Sequence, residues 1–263
     1  MSNHAAPINR RAEIVARYES PVGYVYLVLK ETVIANAAKP GQFVMIRGWP
    51  AKDPILPRPF DIVLTDEREE TFTLCIKLEG RGTNLLNALP IGETVIVTGP
   101  LGKPIDDVGS AGIALLGRGV GAAALVSLAE AAYRKKIPVY SILSARSAAR
   151  IVCRELLARF SADVLIATDD GSEGYKGNGY DLLDKLVADK KIERAYTCGS
   201  RRFAKHVQAL DANGVIQGYV FLEEPMACGM GDCHGCAVKK ATGDGYLLVC
   251  RDGPLFRASE VLL

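Results

Sequence analysis

The chain has 263 residues, of which 49% are hydrophobic, which is enough for a substantial core and, at this length, about two domains. Lys and Arg (32) nearly balance Asp and Glu (30), so the net charge is +2 and the basic stripe of a nucleic-acid-binding protein is not expected. The longest apolar stretch, residues 112–133, is interrupted by Arg118 and Glu130, which argues against a membrane span. Residues 1–15 lack an apolar centre, so we predict no signal peptide and expect a cytoplasmic protein.

The first part of the chain, residues 10–105, reads as β-structure. Several short β-branched and aromatic runs are each bounded by Gly, Pro or charged turns, and one helix is predicted over 83–89, before Pro90. Such spacing indicates a small antiparallel β-barrel or sandwich. The predicted strands cover 12–18, 24–29, 43–46, 71–78 and 94–98.

From about residue 112, strands alternate with helices. This alternation requires crossover connections and therefore predicts a parallel α/β sheet. We place domain boundaries to give domains of 1–105, 106–222 and 223–263. The predicted strands are 113–116, 139–143, 163–168 and 194–198, and the predicted helices are 121–136, 149–160, 180–188 and 202–213.

The last segment, 223–263, has one clear strand, over 246–249, and is rich in Gly and Cys. A segment this short has little core of its own and needs a covalent or metal cross-link. Its four cysteines follow the spacing C-x4-C-x2-C-x13-C, at Cys228, Cys233, Cys236 and Cys250. This is the plant-type [2Fe–2S] spacing, and the intervening glycines let the backbone approach the cluster sulfurs.

Two other interpretations of these cysteines stay open. Structural zinc more often uses two C-x2-C knuckles, and this segment has one. Free cysteines are the third interpretation. His234 lies inside the loop, but four cysteines already complete the ligand set, so we expect this histidine to face solvent.

A glycine-rich turn follows the first strand of the predicted parallel sheet, with Gly117, Gly119 and Gly121 before a helix. Such a turn lets a pyrophosphate approach a helix N-terminus, although a tight strand-to-helix turn would look the same. Two further loops follow later strands, one containing Asp170 and Gly171 and the other Cys198 and Gly199. Because ligands bind beyond the carboxyl ends of such strands, the three loops together predict a dinucleotide site.

The barrel region also contains candidate phosphate contacts. Arg58 is held between two prolines and could meet a fixed phosphate, or it could be a solvated residue of a turn between strands. Gly82 and Thr83 lie at a predicted helix start, where free N–H groups could bind phosphate.

Taken together, the motifs Arg58-Pro59-Phe60, Gly82-Thr83, 99–102, 117–121, 168–172, Cys198-Gly199 and the four cysteines resemble one family in order along the whole chain. This family is the electron-transfer subunit of type B dihydroorotate dehydrogenase, within the ferredoxin reductase superfamily. The resemblance implies an antiparallel β-barrel FAD domain, an α/β parallel-sheet NAD domain and a small C-terminal [2Fe–2S] domain. It also implies a hetero-oligomer with a catalytic flavoprotein subunit of pyrimidine biosynthesis.

By the same resemblance, Arg58, Pro59, Phe60 and Asp61 would touch FAD near the flavin and its pyrophosphate. Cys75, Ile76 and Lys77 would line the ribityl and flavin region, and Gly82 and Thr83 would hold the pyrophosphate. Two residues depart from the family pattern. The family usually has Ser or Thr, a hydrogen-bond partner near flavin N5, where Asp61 stands, and a third glycine is common at Arg118.

We therefore predict an oxidoreductase subunit in which NAD(P)H gives hydride to FAD and the flavin passes single electrons through the [2Fe–2S] cluster to a partner. No side-chain acid or base is required for hydride transfer, so no catalytic residue is assigned. A paralogous subunit serving another oxidoreductase, a stand-alone NADPH:ferredoxin-type reductase and a redox sensor without turnover are the alternatives. Arg146 and Ser147 follow the second strand of the α/β domain, and an Arg there can accept a 2′-phosphate, so NAD and NADP both stay open.

Overall fold

The computed structural model describes residues 9–20, 22–49 and 53–263. The prediction that the N-terminus is not a signal peptide rests mostly on residues 1–8, which lie outside the described residues. In the described ranges, no helix is both long enough and apolar enough to cross a membrane.

Six antiparallel strands close into a barrel in the order β1-β2-β5-β4-β3-β6. Alternate side chains point into the barrel because successive residues of a strand face opposite sides. Val25, Val44, Ile46, Leu74 and Val97 belong to this interior. Helices α1 (Thr32–Ala37) and α2 (Arg81–Ala88) lie in two of the connections. The strands are β1 (Asn9–Glu19), β2 (Tyr24–Lys30), β3 (Phe43–Arg47), β4 (Arg58–Asp66), β5 (Thr71–Lys77) and β6 (Thr94–Leu101).

One prediction in the barrel is wrong. The segment from Arg58 to Asp61 was expected between strands, but it begins strand β4. A proline lacks the N–H that a central strand position needs, which is why the sequence indicated a turn. Pro59 pairs with Met45 of β3, whereas β5 first pairs with β4 at Ile62, so Pro59 has a neighbouring strand on one side alone.

The second sheet has seven strands in the order β10-β9-β8-β7-β11-β12-β15. Neighbouring strands of this sheet are parallel, except that β12 and β15 pair antiparallel. The chain runs from β7 through β8 to β9 on one side and then returns to β11 on the other, so a crevice is expected beyond the carboxyl ends of β7 and β11. The strands are β7 (Ile113–Arg118), β8 (Val139–Ala145), β9 (Asp163–Thr168), β10 (Tyr175–Lys176), β11 (Arg194–Cys198), β12 (Gln217–Phe221) and β15 (Leu255–Arg257).

Four helices connect these strands, and one is shorter than predicted. The prediction of a helix over 149–160 is wrong in its first half, which forms a short 3₁₀ turn, Ala148–Arg150. Cys153 has a left-handed backbone (φ 62°), which a right-handed helix cannot include, so the helix begins only after it. The helices are α3 (Ala122–Arg134), α4 (Arg154–Ala158), α5 (Gly179–Ala188) and α6 (Arg201–Ala212).

The last segment has more regular structure than the single strand predicted. Strands β13 (Ala237–Lys239) and β14 (Tyr246–Leu248) form a hairpin, α7 (Val249–Asp252) follows, and β15 then joins the edge of the parallel sheet. Arg257 of β15 forms a bidentate pair with Asp211 of α6. The segment is thus cross-connected to residues before 223, and the three-domain division stays a prediction.

Candidate functional site

A cavity of about 230 Å³ lies where the barrel, the glycine-rich turn and the segment after β12 meet. Strands β4 and β5 supply one wall and Val120 of the turn supplies another. The segment after β12 and Pro254 close the remaining side. The lining residues are Phe43, Pro59, Phe60, Asp61, Cys75, Lys77, Val120, Leu222, Glu223, Glu224, Met226 and Pro254.

Five of the residues predicted to bind the flavin line this cavity, namely Pro59, Phe60, Asp61, Cys75 and Lys77. Ile76 does not, because β5 alternates between two faces and turns the Ile76 side chain into the barrel core. A contact from Ile76 to a ligand in the cavity would therefore come from its backbone.

Arg58 and the start of α2 are brought together beside the cavity. The Arg58 guanidinium lies 5.8 Å from the centre of the Trp49 ring and donates to the Leu56 carbonyl at 2.6 Å. A Cβ on Gly82 would stand 3.4 Å from Arg58 Nε, so the Arg58 side chain lies directly against the start of α2. Thr83 Oγ1 accepts from the Gly80 N–H at 3.1 Å and orders the first turn. A guanidinium beside a helix N-terminus is suited to a phosphate.

The glycine-rich turn after β7 packs directly against the turn after β11. A Cβ on Gly121 would stand 2.6 Å from the backbone nitrogen of Gly199, and a Cβ on Gly199 would stand 2.2 Å from the Arg118 carbonyl oxygen. Gly199 also has a left-handed φ of 88°. Both glycines are therefore required by backbone-to-backbone contact, and two of the three predicted loops meet here.

The third loop is tied to the other two by Arg118. Its guanidinium donates to both carboxylate oxygens of Asp169, at 3.1 and 2.6 Å, and to Ser144 Oγ at 2.9 Å. The hydrogen bonds from Arg118 hold the pKa of Asp169 below its usual value. Asp170 instead bonds the backbone and hydroxyl of Ser172, so its carboxylate orders its own turn, where Gly171 has φ 78°.

Asp61, Cys198 and Glu223 converge at the cavity. The Cys198 thiol donates to Glu223 at 3.5 Å, and burial followed by the nearby Glu223 and Asp61 raises the pKa of Cys198 well above its usual value. Burial and then Glu223 raise the pKa of Asp61 to about 7. Glu223, Glu224 and Met226 were not predicted as site residues. Their sequence signal is an acidic pair directly after the carboxyl end of a sheet strand.

Two cysteines outside the cysteine-rich loop join the barrel to the second sheet. The Cys153 backbone N–H donates to Tyr26 Oη at 3.0 Å, and the hydrogen bond with the Cys153 side chain followed by burial raises the pKa of Cys75. All seven cysteines lie in the described residues, and none of them forms a disulfide.

The four cysteines of the last segment form two pairs. The Cys233 N–H points to Cys228 Sγ at 3.4 Å, and the Cys250 N–H points to Cys236 Sγ at 3.4 Å. Burial alone would raise the pKa of Cys228, but N–H groups of the loop, first that of Cys233, lower it to about 7. Burial and the neighbouring Cys236 raise the pKa of Cys250 to about 12.

No three His, Cys, Asp or Glu side chains of the described ranges are arranged as a ready metal site. The two pairs match the chemistry of a two-iron cluster, in which each iron takes two thiolates. His234 is exposed, as expected from the sequence.

The cysteine loop packs on the barrel next to the cavity. A Cβ on Gly229 would stand 2.6 Å from Met45 Cγ and 3.0 Å from Leu101, so this glycine (φ 74°) allows the close approach. Met226, two residues before Cys228, lines the cavity itself. The cavity and the cysteine loop are thus adjacent.

Comparison with known proteins gives consistent matches. The family model for the iron–sulfur cluster binding domain of dihydroorotate dehydrogenase B matches residues 223–262. The dihydroorotate dehydrogenase B (NAD(+)) electron transfer subunit of Desulforamulus reducens is 33% identical, covering 95% of this chain and 97% of that protein. The same subunit of Geobacillus thermodenitrificans is 36% identical, covering 90% and 92%.

Two solved structures are similar in fold. The structure of an NADH-dependent reduced ferredoxin-NADP oxidoreductase, studied for flavin-based electron bifurcation, has a TM-score of 0.86 and 28% identity, covering 95% of this chain and 89% of that one. The ferredoxin reductase of carbazole 1,9a-dioxygenase has a TM-score of 0.66 and 19% identity, covering 80% and 67%, which is a similarity of fold.

Proposed function

The chain belongs to the family of dihydroorotate dehydrogenase B electron transfer subunits, and on that basis we propose that it passes electrons between a nicotinamide dinucleotide and a catalytic partner subunit through FAD and a [2Fe–2S] cluster. The observation that carries this proposal is the position of the cysteine-rich segment, in which Met226 lines the cavity and Gly229 packs on Met45 of the barrel. Electron transfer needs its centres close together, and this packing supplies that proximity.

The barrel residues would hold FAD, whose chemistry when bound is to accept a hydride and release electrons singly. The guanidinium of Arg58 and the start of α2 at Gly82 and Thr83 are suited to the pyrophosphate. Phe60 and Pro59 give the cavity an apolar wall for a flat ring, and Asp61, Cys75 and Lys77 supply its polar atoms.

The nicotinamide dinucleotide would occupy the crevice beyond β7 and β11. Gly117, Gly119 and Gly121 form the turn that would meet the pyrophosphate, and Gly121 packs directly on the backbone of Cys198 and Gly199. The names of the relatives specify NAD(+), and we propose NAD for this chain. Asp170 and Gly171 would shape the outer rim of the same crevice.

Cys228, Cys233, Cys236 and Cys250 would ligate the cluster in the pairs that the structure brings together. Their backbone N–H donors favour the thiolate over the thiol, which is the form that binds iron. The match to an iron–sulfur domain over 223–262 supports iron over zinc.

The partner would be the catalytic flavoprotein subunit, so the assembly is a hetero-oligomer of pyrimidine biosynthesis. The test is anaerobic mixing of NADH with the chain loaded with FAD and iron, followed by absorbance and electron paramagnetic resonance. We expect FAD and then the cluster to be reduced, and orotate to be reduced only after the catalytic subunit is added. A loaded chain that oxidises no NADH with a dye acceptor would instead be a sensor, and a chain that alone turns over an organic substrate would also contradict the proposal.

A second candidate is a related subunit that serves another oxidoreductase. Two observations favour it: Asp61 stands where the family usually has Ser or Thr, and the fold has a TM-score of 0.86 to an NADH-dependent ferredoxin-NADP oxidoreductase structure. Mass spectrometry of the subunit that co-purifies with the chain separates the two candidates. We also propose a cytoplasmic location, supported by seven unbonded cysteines and testable by cell fractionation.

A further inference from the structure

Asp61 is a carboxyl group that faces the cavity without a cation beside it. Its side chain lies on the cavity wall, and Glu223 is the one charged group of the described residues that shifts its ionisation. Lys77 lines the same cavity, but its Nζ lies 2.6 Å from Glu79 Oε1 and is already paired. Three carboxyl groups, those of Asp61, Glu223 and Glu224, therefore line the cavity, and the one cation among its lining residues, Lys77, is held at Glu79.

The groups around Asp61 in the cavity come from several parts of the chain. Strand β3 contributes Phe43 and the turn after β7 contributes Val120, neither of which ionises. The ionisable groups are Cys75 and Lys77 of β5, Cys198 at the end of β11, and Glu223 and Glu224 after β12.

Glu223 and Asp61 differ in what surrounds them. Glu223 is exposed and accepts a hydrogen bond from the Cys198 thiol. Asp61 is enclosed on every side except the cavity, and burial raises its pKa to about 7, with Glu223 adding to the effect. When a ligand displaces water from such a cavity, the less hydrated of two neighbouring carboxyls keeps the proton.

We propose that Asp61 carries a proton when the cavity is filled at neutral pH, so that this side chain gives the cavity a hydrogen-bond donor and makes the affinity and reduction potential of bound flavin depend on pH. The inference rests on the proposed function, because it takes the flavin to be the occupant of the cavity. Asp61 is in this sense the proton-holding residue of the cavity.

The charge of Asp61 decides how the affinity for FAD and the reduction potential change with pH. Below its pKa, Asp61 is neutral and can donate to a ring nitrogen or oxygen. Above it, the carboxylate repels electron density on a reduced flavin, so the potential falls more steeply with pH. Each pH unit above the pKa lowers the protonated fraction of Asp61 about tenfold, so the affinity for FAD falls by up to about tenfold per pH unit.

The experiment compares the wild-type chain with Asp61→Asn, which keeps a neutral donor of the same shape at every pH. FAD affinity is measured by flavin fluorescence and the FAD potential by redox titration, each from about pH 6 to about pH 8.5. Wild type should show an inflection near neutral pH in both profiles, and Asp61→Asn should lack it. Asp66→Asn, at the far end of the same strand and outside the cavity, is the matched control and should follow wild type.

Two further measurements test whether the inflection comes from the Asp61 carboxyl group. Glu223→Gln removes the neighbouring negative charge, so the inflection should move to lower pH. Infrared difference spectra of the loaded chain should contain the carbonyl band of a protonated carboxylic acid, lost in Asp61→Asn. Profiles that coincide for wild type and Asp61→Asn, or an inflection unmoved by Glu223→Gln, would overturn the inference and leave FAD binding intact. A wild-type chain that binds no FAD at any pH would overturn the proposed function itself.

Discussion

Arg118 shows how one side chain of the glycine-rich turn can tie neighbouring loops together. It donates to Asp169 and Ser144, so it joins the carboxyl ends of β7, β8 and β9. The Arg118 side chain is 20% exposed and that of Asp169 is 42% exposed, so solvent reaches this ion pair from the Asp169 side. The sequence identified Arg118 as a departure from the family pattern, but its partner lies 51 residues away and could not be predicted from spacing.

Arg58 gives a first prediction at this scale. Arg58→Ala should weaken FAD binding by about tenfold to a hundredfold, because a charge-assisted contact to phosphate contributes about 1.5–3 kcal/mol. The measurement is FAD retained after gel filtration, together with the dissociation constant from fluorescence. Arg68→Ala, in the turn after β4, is the control and should keep its FAD. Equal FAD content in the two variants would mean that Arg58 is only a strand residue.

The cysteine ligands give a second prediction. Serine at Cys228, Cys233, Cys236 or Cys250 should each lose the cluster, because each removes one thiolate from a pair that holds one iron. Iron analysis should give about two irons per wild-type chain and far less in each variant. Cys153→Ala changes a cysteine outside the loop and should retain iron. Zinc in place of iron after anaerobic preparation would contradict the assignment.

At the scale of elements, the turns after β7 and β11 act as one unit. Gly121 and Gly199 bring the two backbones into contact, and this places Cys198 between the crevice and the cavity. The glycine pattern in the sequence predicted the first turn, and β11 was predicted with its observed bounds, Arg194–Cys198. Their mutual contact depends on strand order, in which β7 and β11 are neighbours.

Gly121→Ala tests this unit. Its Cβ would stand 2.6 Å from Gly199, so the two turns must separate, at a cost of about 1–3 kcal/mol. We expect weaker NADH binding, by about tenfold or more, with FAD retained because the proposed pyrophosphate contacts at Arg58 and the start of α2 are not touched. Gly199→Ala should give the same loss, since its Cβ meets Arg118 of the same contact. NADH titration followed by flavin bleaching measures both, and normal NADH affinity in either variant would contradict the argument.

The cysteine loop is the element expected to meet the partner. Met230 lies in this loop and is 39% exposed. Met230→Glu should leave reduction of FAD by NADH intact and slow transfer to the catalytic subunit, because an unpaired charge in an interface is costly. Ile91→Glu, at an apolar residue before β6 that is 60% exposed, is the control and should transfer electrons normally. Unchanged partner reduction in Met230→Glu would show that the partner docks elsewhere.

Over the whole molecule, the barrel, the seven-stranded sheet and the cysteine-rich segment 223–263 meet around the cavity, and we call this meeting point the junction. The cavity is lined by the barrel, by the turn after β7 and by residues on both sides of the cysteine loop. The last strand, β15, returns to the edge of the parallel sheet, and Gln208 of α6 bonds the carbonyls of Ala258 and Val261. The junction is therefore held from both ends of the cysteine-rich segment, which fixes the loop against the barrel.

The junction should also set how stability depends on pH. The folded-state pKa of Asp61, about 7, lies above its ordinary value of 3.8, so the folded chain binds this proton more tightly than the unfolded chain. This contribution is fully present below the unfolded pKa and is lost as pH rises through about 7. Asp61→Asn should therefore become more stable than wild type as pH rises from about 4 to about 8, by at most about 4 kcal/mol. Urea unfolding of the apoprotein measures the difference, and Asp66→Asn should show none.

The sequence by itself determined the local features: five of the six barrel strands, the alternation that gives a parallel sheet, the glycine turns and the spacing of the four cysteines. These rest on periodicity and on residue types that act within a few positions of one another. The tertiary structure decided that Arg58 and Pro59 begin a strand, because the neighbouring strands pair there on one side alone. It also decided that Asp61, Cys198 and Glu223 meet, that Ile76 faces the core and that the cysteines form two pairs. These contacts join residues far apart in the chain, and they depend on strand order and packing, which local spacing does not contain.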